Sequence, residues 1–251
     1  MIKVLMCGYN GQMGKVIDQI VAGEEGMEIA AGVDLVTNPG VSFPTFTSIK
    51  DCNVKCDVVI DFSSSKVTED LLAYCAQTNT PVVLCSTGHT PEQFDFIKEM
   101  SKKVAILKSA NMSLGVNLLI KLLKEATPVL SEAGFDIEIV EKHYNRKKDA
   151  PSGTALALAD ALNGSVDNKY HYTYDRSQRS ESRDPMEIGI SAVRGGSIVG
   201  DHDVIFAGQD EVITLSHRAY SRALFAKGAV SAAAFLVGKA PGMYDMKDVV
   251  L

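Results

Sequence analysis

The chain has 251 residues, 46% hydrophobic and 22% charged, enough to bury one large core or two modest ones. Its formal net charge of -6 offers no broad basic field to displace counterions from phosphates, which sets aside nucleic-acid binding. A small acidic ligand is not excluded, because such a ligand responds to a local cationic cluster rather than to the total.

Five cysteines (Cys7, Cys52, Cys56, Cys75 and Cys85) form no disulfide ladder. Cys52 and Cys56 have no second pair and no histidines at zinc-ligand spacing, so no metal is expected. Cys7 and Cys85 lie in apolar runs and read as buried thiols. The start of the chain reaches a glycine after a few apolar residues, unlike a secretory leader, and no apolar run approaches the roughly 20 residues of a membrane span. A soluble, cytoplasmic protein is the expectation.

In chain order, residues 2–7 read as a buried strand and 12–22 as a helix with Met13, Val16, Ile17, Ile20 and Val21 on one face. Strands follow over 27–33, 58–62 and 82–85, then a helix over 91–100 and a strand over 104–107. Strands separated by helices predict a parallel sheet covered on both faces, an α/β domain. Beyond Leu114 the pattern changes to a long amphipathic helix over 118–130, a strand over 136–141 and a helix over 155–162. The polar stretch 163–184 reads as a mobile connector. Strand-like runs at 188–193, 203–206 and 211–216 then predict a second, α+β domain with an open, mostly antiparallel sheet. A last helix over 223–237 is too apolar to stand alone and is expected to pack back on the first domain.

Between the first strand and first helix stands Gly8-Tyr9-Asn10-Gly11-Gln12-Met13-Gly14. Glycines at this spacing permit a tight turn, close approach of a pyrophosphate to bare backbone, and close helix–strand packing. The helix start adds free amides and partial positive charge. Asp34 ends the second strand, where a carboxylate can accept from ribose hydroxyls. A glycine loop with no ligand is the plain alternative. The strand before it, the helix after it and the correctly placed acid favour a dinucleotide.

The stretch from Glu141 to Ala155, Glu-Lys-His-Tyr-Asn-Arg-Lys-Lys-Asp-Ala-Pro-Ser-Gly-Thr-Ala, gathers Lys142, Arg146, Lys147 and Lys148 in an otherwise acidic chain. It includes His143, the residue type whose ordinary proton equilibrium lies nearest neutral pH. Ser152, Gly153 and Thr154 open the following helix with donors suited to a carboxylate or phosphate. A solvated basic run, a structural histidine and ordinary helix caps would account for each part singly. The conjunction of proton donors with an anion cradle favours a site.

This stretch is similar to the signature segment of dihydrodipicolinate reductases. The likeness continues in Val58 to Ser63, in Ser86-Thr87-Gly88, and in the hinge-like Ala110-Asn111-Met112-Ser113-Leu114-Gly115-Val116-Asn117. It continues further in Arg194-Gly195-Gly196, Gly200-Asp201-His202, His217-Arg218-Ala219, Ser221-Arg222 and the ending Tyr244 to Val249, so it covers essentially the whole chain.

The resemblance implies a Rossmann-type cofactor domain over 1–112 and 223–251, with a substrate-binding and oligomerisation domain carrying an open mixed sheet over 113–222. It implies a homotetramer that reduces the cyclic dicarboxylate 4-hydroxy-tetrahydrodipicolinate with NADH or NADPH, in the diaminopimelate route to lysine. By the match, His143 and Lys147 are the acid/base pair, and Tyr144, Ser152, Gly153 and Thr154 hold the substrate. Gly8, Tyr9, Asn10, Gly11, Gln12, Met13, Asp34, Cys85, Ser86, Thr87, Ser109, Ala110, Asn111 and Met112 line the cofactor. Nucleic acid and membrane are not expected partners.

Several positions depart from the family pattern. Tyr144 stands where many members carry a second histidine, and its hydroxyl can still donate to a carboxylate. Gln12 replaces a common arginine, and Leu35 follows Asp34 where an arginine can meet the 2′-phosphate of NADPH, so NADH is the expected preference. Met112 and Cys85 replace a phenylalanine and a glycine at the cofactor wall. A related dehydrogenase for another amino or hydroxy acid, and a nucleotide sensor without catalysis, are the competing readings. The Asp-Ala-Pro-Ser-Gly-Thr cradle beside His143 and Lys147 argues against both.

Overall fold

The computed structural model describes residues 1–109, 111–177 and 179–250. They form two compact units: 1–114 together with 223–251, and 115–222.

The first unit is a seven-stranded parallel sheet in the order β12-β6-β5-β4-β1-β2-β3. Its strands are β1 (Ile2–Cys7), β2 (Met27–Val33), β3 (Thr45–Phe46), β4 (Val58–Asp61), β5 (Val82–Leu84), β6 (Ala105–Leu107) and β12 (Gly242–Tyr244). The central strands are apolar on both faces because helices cover both. On one face α1 (Gln12–Ala22) and α6 (Ala223–Leu236) pack around Val4, Met6, Ile60 and Leu107. On the other, α2 (Thr68–Thr78) and α3 (Pro91–Ser101) pack around Leu5, Val59, Leu84 and Ile106. Each such side chain, fully withdrawn from water, contributes roughly 1.5–3 kcal/mol before entropy is counted. The sequence α6 presents is rich in Ala and Gly for a steric reason. A side chain at Gly228 would lie 1.7 Å from the carbonyl oxygen of Met112. The chain reverses its direction of sheet growth between β1 and β4, and in open α/β sheets ligands bind at that reversal, beyond the carboxyl ends of the strands.

The second unit holds α4 (Leu114–Glu132), β7 (Asp136–His143), α5 (Gly153–Gly164), β8 (His171–Tyr174), β9 (Glu187–Arg194), β10 (Gly200–Ala207) and β11 (Val212–Ala219). Its sheet order is β11-β10-β7-β9-β8. The sheet is mixed rather than mostly antiparallel: β10 runs antiparallel to β7 and β11, whereas β9 runs parallel to β7 and β8. The chain returns to its starting edge twice, through α5 between β7 and β8 and again between β8 and β9, so both later strands run parallel to β7. One face packs on α4 and α5 through Leu123, Leu158, Ile139, Val204 and Phe206.

The stretch expected to be a mobile connector contains β8 and is clasped by arginines. Arg183 reaches Asp136 at 2.8 Å and Glu138 at 3.0 Å, and Arg176 pairs with Glu187. A short helix of five residues, α7 (Met246–Val250), closes the chain. Among the described residues no helix is long and apolar enough to cross a membrane, and no group of three His, Cys, Asp or Glu side chains is placed to hold a metal.

Candidate active site

The glycine loop is shaped by what its backbone must avoid. Gly8 has φ of 81°, and a Cβ there would stand 2.8 Å from the Phe62 carbonyl oxygen that passes over it. At Gly14 a Cβ would stand 2.4 Å from the Gly8 oxygen, so only hydrogen lets α1 start beneath the turn. Gly11 caps α1 without a side-chain hydrogen bond, which leaves the first-turn amides for an anion.

Asp34 closes the far side: one carboxylate oxygen accepts from the Asn10 amide at 2.9 Å and the other from the Leu35 amide at 2.7 Å. Each oxygen keeps a lone pair for a further donor. Tyr9 and Asn10 fasten the 36–38 segment, with the Tyr9 hydroxyl accepting from the Asn38 amide at 2.8 Å and the Asn10 amide nitrogen Nδ2 donating to the Val36 carbonyl at 2.7 Å. A cleft of about 540 Å³ opens between Gly8, Gly11, Asp34, Ser48, Ser63 and Leu71. That is the size range of small-molecule sites.

Cys85, Ser86 and Thr87 follow β5, and Ser109, Asn111 and Met112 follow β6, farther along the same carboxyl edge of the sheet. Ser86 is buried, Thr87 is exposed, and the Met112 side chain is in the core, so only its backbone can face a ligand. Ala110 lies outside the described residues. Cys7 is buried and Cys85 half-buried; burial raises both thiols well above their ordinary range, which leaves them protonated and unreactive. Beside them the Asp61 carboxyl is fully buried and raised by that burial, while the Ser63 amide donates to its Oδ1 at 3.1 Å.

In the second unit the alternation of β7 places Glu141 and His143 on the buried face, in line with Ile137 and Ile139. Glu141 is completely buried and fully partnered. Its Oε2 meets Nδ1 of His143 at 2.6 Å, its Oε1 accepts from the Ser152 amide at 2.9 Å, and Arg194 forks onto both oxygens at 2.7 Å. Burial alone would raise this carboxyl; Arg194, His143 and the Ser152 amide outweigh it and hold it below the usual carboxylate range. With Nδ1 engaged, Nε2 of His143 is the free nitrogen, and a Cβ at Gly200 would stand 3.1 Å from it.

The His202 ring packs edge-on against His143 with centroids 5.2 Å apart, and its Nε2 lies 3.0 Å from the Ser152 hydroxyl. Ser152 Oγ also accepts from the Ala155 amide at 3.1 Å, so the same hydroxyl caps α5 and meets His202. Around Gly153 the space is open: a Cβ would meet nothing within 4 Å. Lys147 Nζ pairs with Asp149 at 2.9 Å, and this pair lowers the Asp149 carboxyl.

The structure thus joins His143 to Ser152 through Glu141, and keeps Lys147 on the connecting turn, where its backbone N–H donates to the Tyr144 carbonyl. Tyr144 is half-buried, and Thr154 stands in the first turn of α5. Sequence reasoning assigned no role to Glu141, Arg194 or His202. The signal for the first was its i, i+2 spacing from His143 on a strand; the other two arrive only through sheet register, Arg194 opposite His143 and His202 opposite Glu141.

Known proteins agree with this architecture. Family models described as the N-terminus and the C-terminus of dihydrodipicolinate reductase match residues 2–112 and 115–250. The 4-hydroxy-tetrahydrodipicolinate reductase of Caldanaerobacter subterraneus subsp. tengcongensis is 51% identical over 250 residues, covering 100% of this chain and 98% of that protein. The reductase of the same name from Clostridium tetani is 48% identical over 246 residues, covering 98% and 96%. Among solved structures, a dipicolinate-bound dihydrodipicolinate reductase from Paenisporosarcina sp. TG-14 superposes with a TM-score of 0.83 at 25% identity, covering 99% of both chains. A myo-inositol dehydrogenase from Corynebacterium glutamicum, with a TM-score of 0.59 at 13% identity over 100% of this chain and 92% of that one, shares the fold alone.

Proposed function

Since the chain belongs to the dihydrodipicolinate reductase family, we propose that its reaction runs on the cluster around His143 and Lys147. The reaction is the reduction of 4-hydroxy-tetrahydrodipicolinate to tetrahydrodipicolinate with a nicotinamide cofactor, in the diaminopimelate route to lysine. The observation that carries the site assignment is the buried Glu141 carboxylate, which holds His143 by Nδ1 and the cradle by the Ser152 amide.

When bound, the dihydronicotinamide supplies a hydride to the ring. The bare backbone at Gly8, Gly11 and Gly14 and the uncapped start of α1 fit its pyrophosphate, and Asp34 fits the ribose hydroxyls. Cys85 to Thr87 and 109–112 would line the nicotinamide half.

The open first turn of α5, with Ser152, Gly153 and Thr154, receives one substrate carboxylate, and the Tyr144 hydroxyl donates to the bound dicarboxylate. Lys147 donates the proton that balances hydride addition and loss of water. His143, held by Glu141, presents Nε2 to polarise the ring or exchange protons.

NADH is the preferred donor in this reading. Asp34 is fixed at the mouth of the cleft by two amides, the neighbouring Leu35 is 85% exposed, and no arginine stands beside them to receive a 2′-phosphate. A homotetramer built through the second unit is supported by the exposed apolar side chains Val193, Val212 and Ile213 on β9 and β11. The cytoplasm is the compartment where such a biosynthetic enzyme with free thiols belongs.

The test is a coupled assay in which dihydrodipicolinate synthase supplies the unstable substrate, and NADH and NADPH oxidation are followed for wild type and Lys147→Ala. Oxidation that disappears in the variant, with higher efficiency on NADH, supports the reading. Full activity in Lys147→Ala would remove Lys147 from it, and equal or better efficiency with NADPH would overturn the cofactor preference.

A further inference from the structure

Arg194 comes from the end of β9, 39 positions beyond the end of the signature segment at Ala155, yet its guanidinium holds the cluster at two points, the Glu141 carboxylate and the Asp149 carbonyl. Nη1 and Nη2 each donate to one Glu141 oxygen at 2.7 Å, and Nη2 also donates to the Asp149 carbonyl at 2.7 Å. The residues after it continue the clasp: the Gly195 amide donates to the His143 carbonyl at 2.9 Å and the Asn145 amide to the Gly196 carbonyl at 3.2 Å. The side chain of Arg194 is only 18% exposed.

We propose that Arg194 is the positioning residue for both proton-handling side chains: it holds the carboxylate that orients His143 and, through the Asp149 carbonyl, the turn that carries Lys147. This rests on the assignment of His143 and Lys147 made above. Two physical effects follow from one guanidinium. The first is geometric, because a planar fork that spans two carboxylate oxygens and a carbonyl fixes the distance between the end of β7 and the 144–151 turn. The second is one of charge. A buried carboxylate needs a cation, and an arginine supplies one at every working pH. His143 therefore does not have to stay protonated to keep Glu141 ionised, and it can give and take a proton while remaining held. Among the described residues, His202 on β10 packs edge-on against this imidazole and is held neutral by burial, with His217 of β11 in register opposite it, and the Lys147–Asp149 ion pair lies on the 144–151 turn.

The experiment compares kcat and KM of Arg194→Met, Arg194→Lys and Lys147→Ala in the coupled assay, with folding checked by circular dichroism and NADH binding by fluorescence. Misplacing catalytic groups by about 1 Å costs on the order of 100-fold, so Arg194→Met is expected to lose about that much in kcat while KM moves by roughly threefold or less. Arg194→Lys keeps the charge without the fork and should recover part of the loss, to within about tenfold of wild type. If Arg194→Met does not fold, Arg194→Gln, which keeps amide donors for Glu141 without the fork or the charge, takes its place, with a loss in kcat well beyond about threefold expected and KM nearly unchanged. A folded variant whose kcat stays within about threefold of wild type, or whose defect lies in KM alone, overturns the proposal. The parallel variant separates the two levels: an active Lys147→Ala removes the site assignment and this inference with it, whereas an inactive Lys147→Ala beside a fully active Arg194→Met removes only the role of Arg194.

Discussion

The two units build their sites from different materials. The glycine loop of the first unit is almost entirely backbone: its contacts are amides, a helix start and the absence of Cβ atoms at Gly8 and Gly14, with one carboxylate at Asp34. The cluster of the second unit is built mainly from side chains: His143 of β7 and Arg194 of β9 meet at Glu141, as does the Ser152 amide at the start of α5, and His202 of β10 joins through the Ser152 hydroxyl and the His143 ring. A backbone site tolerates most sequence change outside its glycines. A side-chain hub concentrates its dependence on a few buried charges, where removing one partner leaves another uncompensated.

The two units differ most in their dependence on Lys147. Its loss should lower kcat by about 10²–10⁴-fold with NADH affinity unchanged, since a positioned proton donor contributes that much and the cofactor loop lies in the other unit. Kinetics in the coupled assay and fluorescence titration of NADH check the two halves of that statement.

The next largest effect concerns pH. His202 is lowered from 6.5 to about 4, by burial first and by His143 second. Unfolded, it takes up a proton near 6.5; folded, it stays neutral to about 4. The unfolded state therefore binds more protons in that window, and stability is retained above it and falls as the pH drops through it, by up to about 3 kcal/mol. Denaturant titrations at pH 7 and pH 4.5 should show the fall in wild type and much less of it in His202→Gln.

Gly8→Ala acts on the first unit. A methyl at φ of 81°, pressed on the Phe62 carbonyl, should cost about 2–3 kcal/mol of stability and weaken NADH binding at least about tenfold. Dicarboxylate binding, followed with dipicolinate, should be nearly unchanged. The smallest expected effect is that of Leu35→Arg. A guanidinium at this exposed position should move the NADPH to NADH efficiency ratio by about tenfold toward NADPH, roughly 1.4 kcal/mol.

Legibility in the sequence followed the same division. The parallel sheet and the glycine loop could be read directly, because hydrophobic runs and glycine spacing are local properties. The helix of 118–130 extends to 114–132, since Pro128 does not end it; the Thr127 hydroxyl bonds the Leu123 carbonyl at 2.6 Å as the helix passes through. In the second unit, pairing between strands far apart in the chain made the sheet mixed, as the resemblance implied and the local pattern did not, and within the 163–184 stretch β8 joins that sheet while arginines pair with β7 and β9.

His143, Lys147 and the Ser152 cradle were visible as one contiguous stretch, whose residue types favoured a site with proton donors beside an anion, and the resemblance singled out His143 and Lys147 within it. What holds them was not visible. Arg194 and His202 reach the cluster through β-register, which is set by which strands share a core face. Sequence determined which chemical groups this protein has to offer and which backbone turns it can make, because both are properties of neighbouring residues. Tertiary structure alone decided that a buried carboxylate would take its counter-charge from a strand some fifty positions away, because burial creates the need for that charge and only the assembled sheet can meet it.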